Sequence, residues 1–366
     1  MQPFSLLIKP SGPDCNIACK YCFYSGKTSL FGQGRHRMSG EVLEELIKSY
    51  LQLDLPVHAL AWQGGEPTLM GLDFFRQAVE LQKKYGKKGR VVSNSLQTNS
   101  VLLDDKWCKF LSEFKFLVGI SLGGPRWMHD TYRLDRAGRG TFDKVIAAVE
   151  KCRAYDVQFN ILVLLNDVNV KHPDEVFDFF VDLDIRYLQF ITCVERDRQS
   201  GKLFPFSITA QEYGDFLCRI FDRWLEYGPQ RLSIRLCDSI ISYYLQGRHT
   251  DCTFGERCDE YIVVEHNGDV FCCDFFVEEK WKLGNILETP IGELFNSDTK
   301  RIFAREKRRL SNKCFVCRHL PLCRGGCPKD RIVEGGDSKS QNYFCAGYKQ
   351  FFDHALSELM ELSANI

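Results

Sequence analysis

The chain has 366 residues, 44% of them hydrophobic, and its 48 basic residues balance its 48 acidic ones. A chain of this length can bury a substantial core, and zero net charge gives no electrostatic draw toward nucleic acid or an anionic membrane. No apolar run reaches the length of a membrane-spanning helix, and the start, MQPFSLLIKP, lacks a secretory signal pattern, so the expected setting is cytoplasmic.

In chain order, β-rich runs at 5–10, 58–65, 91–99, 116–124, 158–166 and 187–195 read as strands. Amphipathic stretches at 40–52, 73–86, 141–155 and 174–183 read as helices between them, and TAQE at Thr209 has the form of a capping box. Six β–α units in series predict a parallel sheet with right-handed crossovers, two units short of a closed barrel. The expected fold class is therefore α/β, an open partial (β/α)6 TIM-like barrel over residues 1–228, with its site at the carboxyl ends of the strands. Periodicity weakens after residue 230. The stretch 252–346 is rich in cysteine and turn residues and reads as needing metal to hold it together, so 229–366 is taken as a second domain closed by a helix. The basic run 300–309 reads as the solvated face of a helix.

Seventeen cysteines are unevenly placed: three near the start, nine between Cys252 and Cys345, and five scattered singly. In a reducing cytosol such clusters are more often metal ligands or catalytic groups than disulfides. Cys15, Cys19 and Cys22 follow directly on the first strand, in PDCNIACKYCFY. Three thiolates can hold three irons of a [4Fe–4S] cube and leave the fourth open; a zinc knuckle is the alternative.

This Cys-x3-Cys-x2-Cys loop, with Tyr21 before its third cysteine, resembles the radical S-adenosylmethionine superfamily. The resemblance implies that the open iron and the surrounding loop bind S-adenosylmethionine, which yields a 5′-deoxyadenosyl radical. Gly64, Gly65, Glu66 and Pro67 then match the GGEP motif, which binds the methionine amino group in that superfamily, and the glycines would let the backbone approach a ligand. Across nearly the whole chain, LLIKPSGPDCNIACKYCFY, WQGGEPTLMGLDFF, NSLQTNS and FLVGISLGGP resemble the anaerobic sulfatase-maturating enzymes. That likeness implies further cofactor contacts at Ser121, Arg133 and the backbone of Val194. Two departures stand out: Gly123 replaces the family's usual aspartate, and Ser100 replaces a glycine.

The carboxyl-terminal cysteines resemble a SPASM domain, which implies two auxiliary [4Fe–4S] clusters and three in all. Carried over residue by residue, Cys252, Cys258, Cys273 and Cys327 would hold the first, and Cys314, Cys317, Cys323 and Cys345 the second. Alternation along a strand keeps Cys272 and Cys273 from facing one cluster. Structural zinc is the alternative for 314–327. Asp274 matches the family's catalytic base, and its apolar setting, FCCDFFV, would raise its proton affinity. His129, His172 and His266 read as structural. The implied function is oxidation of a cysteine or serine in a sulfatase polypeptide to Cα-formylglycine, with a flavodoxin- or ferredoxin-type electron donor. The rival readings are a maturase that crosslinks or epimerises a ribosomal peptide, argued against by the lack of room for a leader-binding domain before Cys15, and a zinc-stabilised interaction module.

Overall fold

The structure is a computed structural model that describes residues 2–197, 200–332 and 339–365. Its strands are β1 (Ser5–Lys9), β2 (Val57–Trp62), β3 (Val91–Thr98), β4 (Leu117–Ser121), β5 (Phe159–Leu165), β6 (Tyr187–Thr192), β7 (Ser233–Ile234), β8 (Tyr261–Glu265), β9 (Asp269–Phe271) and β10 (Lys282–Asn285). The first six lie where the apolar runs predict them but end earlier. After Trp62 the chain leaves the sheet at Gly64, whose φ of +121° no strand residue adopts. No helix is long and apolar enough to cross a membrane among the described residues.

The chain divides into two compact units. The first comprises residues 1–121, 132–159 and 259–304. In it the strands run in the order β10-β9-β8-β1-β2-β3-β4. From β8 to β4 the pairing is parallel, with Leu6 opposite Ile262 on one side and Leu60 on the other. Leu6 and Ile8 are wholly buried, so β1 is a central strand. The helices Gly40–Leu51 and Leu72–Tyr85 supply the β2 and β3 crossovers. Ser39 caps the first, its side chain accepting from Val42 N.

Residues 259–304 carry apolar packing of their own inside the stretch that reads, from its cysteines and turns, as needing metal to hold it together. β8 joins the sheet beside β1, β9 folds back antiparallel across the Asn-Gly turn, and Ile262, Val263, Val264, Val270 and Val277 are wholly buried. β8 has only five residues, too few to show a period, and its partner lies 256 positions away.

The second unit comprises residues 122–131, 160–258 and 305–366. Here β5, β6 and β7 pair in parallel, with Ile161 opposite Leu188 and Tyr187 opposite Ser233. The capping box predicted at Thr209 forms with Glu212 and starts the helix Ala210–Tyr227. That helix packs on the closing helix Cys345–Ala364, where the Tyr213 ring lies 5.3 Å from Phe344 and 5.6 Å from Tyr348.

Candidate active site

In the first unit the loop after β1 carries Cys15, Cys19 and Cys22 as free, partly buried thiols. Its backbone is pinned from several sides. Ala18 N donates to Leu134 O at 2.7 Å, and Arg136 donates through Nε and Nη2 to Cys15 O. Asp14 accepts from His36 N at 2.9 Å and Arg37 Nη1 at 2.7 Å, and pairs with His36 Nδ1. Asn99 Nδ2 donates to Asn16 Oδ1 at 2.7 Å and reaches Cys15 Sγ at 3.5 Å.

Burial pushes the Cys15 thiol up to about 12 and raises Cys19 as well, against the pull of the Arg133 guanidinium. Without metal these thiols keep their protons, and a metal must displace them. The sign follows. The unfolded Cys15 thiol loses its proton near 9.0, but the native one holds it to about 12. Stability of the metal-free protein is thus full below pH 9 and falls as pH rises toward 12. Thermal unfolding of chelator-treated protein between about pH 8 and 10 checks this, with iron-loaded protein as the insensitive control.

The GGEP loop packs directly on the cysteine loop. Gly65 N donates to Gly12 O and Glu66 N to Asp14 O, both at 2.8 Å. A Cβ on Gly65 would stand 2.0 Å from Asp14 O, so here the bare backbone lets two loops of the same chain touch. Gly65→Ala should force them apart at about 1–3 kcal/mol, lowering Tm by several degrees and loosening iron retention. Unchanged Tm and iron content would contradict this.

Glu66 is wholly buried. Its Oε1 accepts from Thr68 N, Thr68 Oγ1 and Thr98 Oγ1, and its Oε2 from Asn99 N at 2.8 Å. Burial raises its carboxyl and these bonds oppose the rise. Glu66 thereby ties the loop after β2 to the end of β3, where Asn99 meets Cys15. The sequence did not single out Asp14, Asn16, Asn99 or Arg136, because isolated polar residues in loops carry no pattern.

Tyr21 is buried and its hydroxyl accepts from Arg133 Nη1 at 3.3 Å. Ser121 ends β4, half-buried. Two buried donors, Arg133 Nε and Ser100 Oγ, have no hydrogen-bond partner among the described residues. Such orphans, one of them on the arginine whose charge acts on Cys19 and Cys15, fit a polar cofactor held at the cysteine loop. Ser100 adopts φ +65°, a left-handed conformation that glycine takes at no steric cost.

Val194 lies in the second unit, its carbonyl accepting from Lys329 Nζ at 3.3 Å. In the same unit Gly123 N donates to His129 Nδ1 at 3.2 Å and Gly123 O accepts from Asn169 Nδ2 at 3.0 Å. A Cβ on Gly123 would meet only His129 Cα, at 3.6 Å, so packing does not demand the glycine.

Asp274 lies in the first unit, buried at 8% exposure. The Tyr261 hydroxyl donates to its Oδ1 at 3.0 Å and stands equally close to Cys273 Sγ. Beside them is Lys9, 1% exposed at the end of β1. Burial lowers its proton affinity, opposed by the charges of Asp274, Glu265, Cys273 and Cys22. The Lys9 ammonium rests 3.4 Å from the centroid of the Tyr24 ring, and the Tyr24 hydroxyl donates to buried Glu265. No sequence pattern marks Tyr24, Tyr261 or Glu265 as belonging to this site. A lysine closing an otherwise apolar strand run was the one available signal.

The basic run 300–309 also departs from expectation. The helix Asp298–Glu306 forms, but Lys300 and Lys307 are buried. Lys300 Nζ donates to Tyr261 O and Cys272 O, and Lys307 Nζ donates to Cys252 O and Thr253 O.

In the second unit Cys314, Cys317, Cys323 and Cys345 line one pocket, open in part to solvent, with Asn342, Tyr348 and Phe352. Gly325 N donates to Cys323 Sγ at 3.4 Å. Burial pushes Cys323 up to about 11 and Cys327 up to about 12. Cys252, Cys258 and Cys327 belong to this unit, Cys273 to the other. Four thiols lining one pocket could each bind a different iron of a cluster.

A thiol triad at the carboxyl end of a strand, a GGEP loop packed against it and a second cysteine-lined cavity define an iron–sulfur enzyme of the radical type. Residues 10–180 match the radical SAM superfamily and residues 252–318 an iron–sulfur cluster-binding domain, SPASM. Over its whole length the chain is 38% identical to the whole of a cysteine-type anaerobic sulfatase-maturating enzyme of Clostridium perfringens. It is 36% identical to a serine-type enzyme of Bacteroides thetaiotaomicron, over 96% of this chain and 89% of that one. The solved structure of anSMEcpe with bound AdoMet and a peptide matches at a TM-score of 0.92 and 38% identity, over 100% of this chain and 99% of the other. Streptococcus suis SuiB, at 18% identity and a TM-score of 0.67 over 94% of this chain and 77% of that one, shares the fold alone. The chain belongs to the anaerobic sulfatase-maturating enzymes: it is a radical SAM oxidoreductase with a partial TIM-like barrel and a SPASM domain.

Proposed function

We propose that this enzyme oxidises a cysteine or serine side chain of a sulfatase polypeptide to Cα-formylglycine. Residues 1–228 form the radical module and 229–366 the auxiliary module. Cys15, Cys19 and Cys22 hold one [4Fe–4S] cluster; Cys252, Cys258, Cys273 and Cys327 a second; and Cys314, Cys317, Cys323 and Cys345 a third. S-adenosylmethionine lies against Tyr21, Gly64, Gly65, Glu66, Ser121, Arg133 and the Val194 backbone. When bound, these groups supply a radical that removes a hydrogen atom from the substrate Cβ and an acceptor for the electron left behind.

The chain's own residues do the rest. Asp274 accepts the proton of the substrate thiol or hydroxyl. Tyr261, donating to the same carboxylate, fixes its direction, and Lys9 balances its charge. A cysteine thus becomes a thioaldehyde, which water converts to the aldehyde with loss of sulfide; a serine gives the aldehyde directly. Burial around Asp274 keeps bulk water from the reacting carbon during the oxidation, before the thioaldehyde is hydrolysed. The electron donor is a flavodoxin- or ferredoxin-type protein, and the setting is cytoplasmic.

The observation that carries this reading is Asp274 buried against Tyr261 and the thiol of Cys273, with Lys9 beside them. Anaerobic incubation with S-adenosylmethionine, reductant and a Cys-x-Pro-x-Arg peptide tests it. A mass drop matching thiol-to-aldehyde conversion is expected. Release of 5′-deoxyadenosine with the peptide unaltered would assign the enzyme another substrate.

A further inference from the structure

One short turn in the second unit serves both cysteine groups there. Cys323 ends the helix Leu320–Cys323, and Cys327 follows after Arg324, Gly325 and Gly326, whose φ angles are 47°, 75° and 65°. Gly326 N donates to Cys323 O at 2.7 Å. Three successive left-handed residues are held by one side chain. Arg331 donates to Gly325 O through Nε at 3.1 Å, and its Nη2 reaches Arg324 O and Gly326 O at 3.4 and 3.3 Å. The same fork reaches Lys307 O at 3.0 Å and Arg309 O at 2.9 Å. A Cβ on Gly325 would stand 2.8 Å from Arg331 Nη2, so the turn is fitted closely to this guanidinium.

Arg331 is 3% exposed. Burying a guanidinium is costly, and carbonyl dipoles only partly replace water around it. Burial lowers its proton affinity, and the thiolates of Cys327, Cys314, Cys258 and Cys323 act the other way. Those four cysteines come from both auxiliary ligand sets. Buried Lys307 adds a second cation near Cys327. Four thiolates give a cluster a negative charge that grows on reduction, and nearby fixed cations favour the more negative state.

We propose that Arg331 is a positioning residue common to the two auxiliary clusters: its charge raises both reduction potentials, and its fork sets the turn between Cys323 and Cys327. This rests on the reading that these cysteines bind two clusters. A lysine could supply the charge but not the planar five-donor fork.

The test is anaerobic redox titration followed by electron paramagnetic resonance on reconstituted full-length protein, in a Cys19→Ala background that leaves only the auxiliary signals. Arg331→Gln should lower the equilibrium constant for reduction of both clusters at least tenfold, a downward shift of 59 mV for a one-electron couple. Arg331→Lys should stay within threefold of the parent. An Arg331→Gln change below twofold at either cluster overturns the proposal. So does an Arg331→Lys shift as large as that of Arg331→Gln, or loss of iron from both variants, which would make geometry and not charge the contribution. Where only Arg331→Gln loses iron, Arg331→Lys decides: within threefold supports the charge role, and a tenfold shift overturns it. Absence of any auxiliary signal in the parent would instead overturn the two-cluster reading.

Discussion

Asp274→Asn should abolish peptide oxidation by roughly 10²–10⁴-fold, while S-adenosylmethionine is still cleaved to 5′-deoxyadenosine. The substitution is nearly isosteric. Its side-chain oxygen still accepts from the Tyr261 hydroxyl, so the local hydrogen bond and the packing against Cys273 survive. What it loses is the ability to take a proton. Hydrogen abstraction from the peptide Cβ does not require that proton transfer, so deoxyadenosine should accumulate without matching aldehyde. Deoxyadenosine and formylglycine peptide, quantified in the same anaerobic reaction, give the ratio directly. A variant that keeps that ratio near the parent's would remove Asp274 from its assigned role. One that loses both products together, with iron intact, would make it a binding residue instead.

Cys19→Ala carries the second large effect. It removes one of three thiols in a loop pinned at Ala18, Asp14 and Cys15, so the loop keeps its backbone anchors while losing a ligand. Iron should fall from about twelve per chain toward about eight, as one cube of three is lost. Deoxyadenosine release should disappear even in the absence of peptide. The unfolding transition should shift little if the auxiliary cysteines are loaded, because the substituted loop is braced by Arg136 and the His36–Arg37 segment. Retention of twelve irons, or of S-adenosylmethionine cleavage, would contradict the assignment of this triad.

Much of this architecture is written in local pattern. The six strands preceding residue 200 are runs of five to eight residues, most of them apolar, and the capping box at Thr209 marks the start of its helix at Ala210. The cysteine loop and GGEP were legible because their spacing is rare by chance. What the sequence hid depends on contacts between distant segments. β8 is a short strand whose place beside β1 is set by a partner far away in the chain. Lys300 and Lys307 sit in a run that looks solvated, yet each finds backbone carbonyls from segments tens of residues distant. Lys9 and Glu265 come from adjoining strands paired across 256 positions. The GGEP motif marks Glu66 for ligand binding, and its four hydrogen bonds to Thr68, Thr98 and Asn99 add a bracing role that no spacing rule could reveal.

The most direct measurement is electron–nuclear spectroscopy of the reduced amino-terminal cluster, with S-adenosylmethionine labelled at its amino nitrogen and carboxylate. Coupling of both labels to the cluster, present in the parent and absent from Cys19→Ala, is the expected result. A cluster signal that S-adenosylmethionine leaves untouched would contradict the account at its foundation.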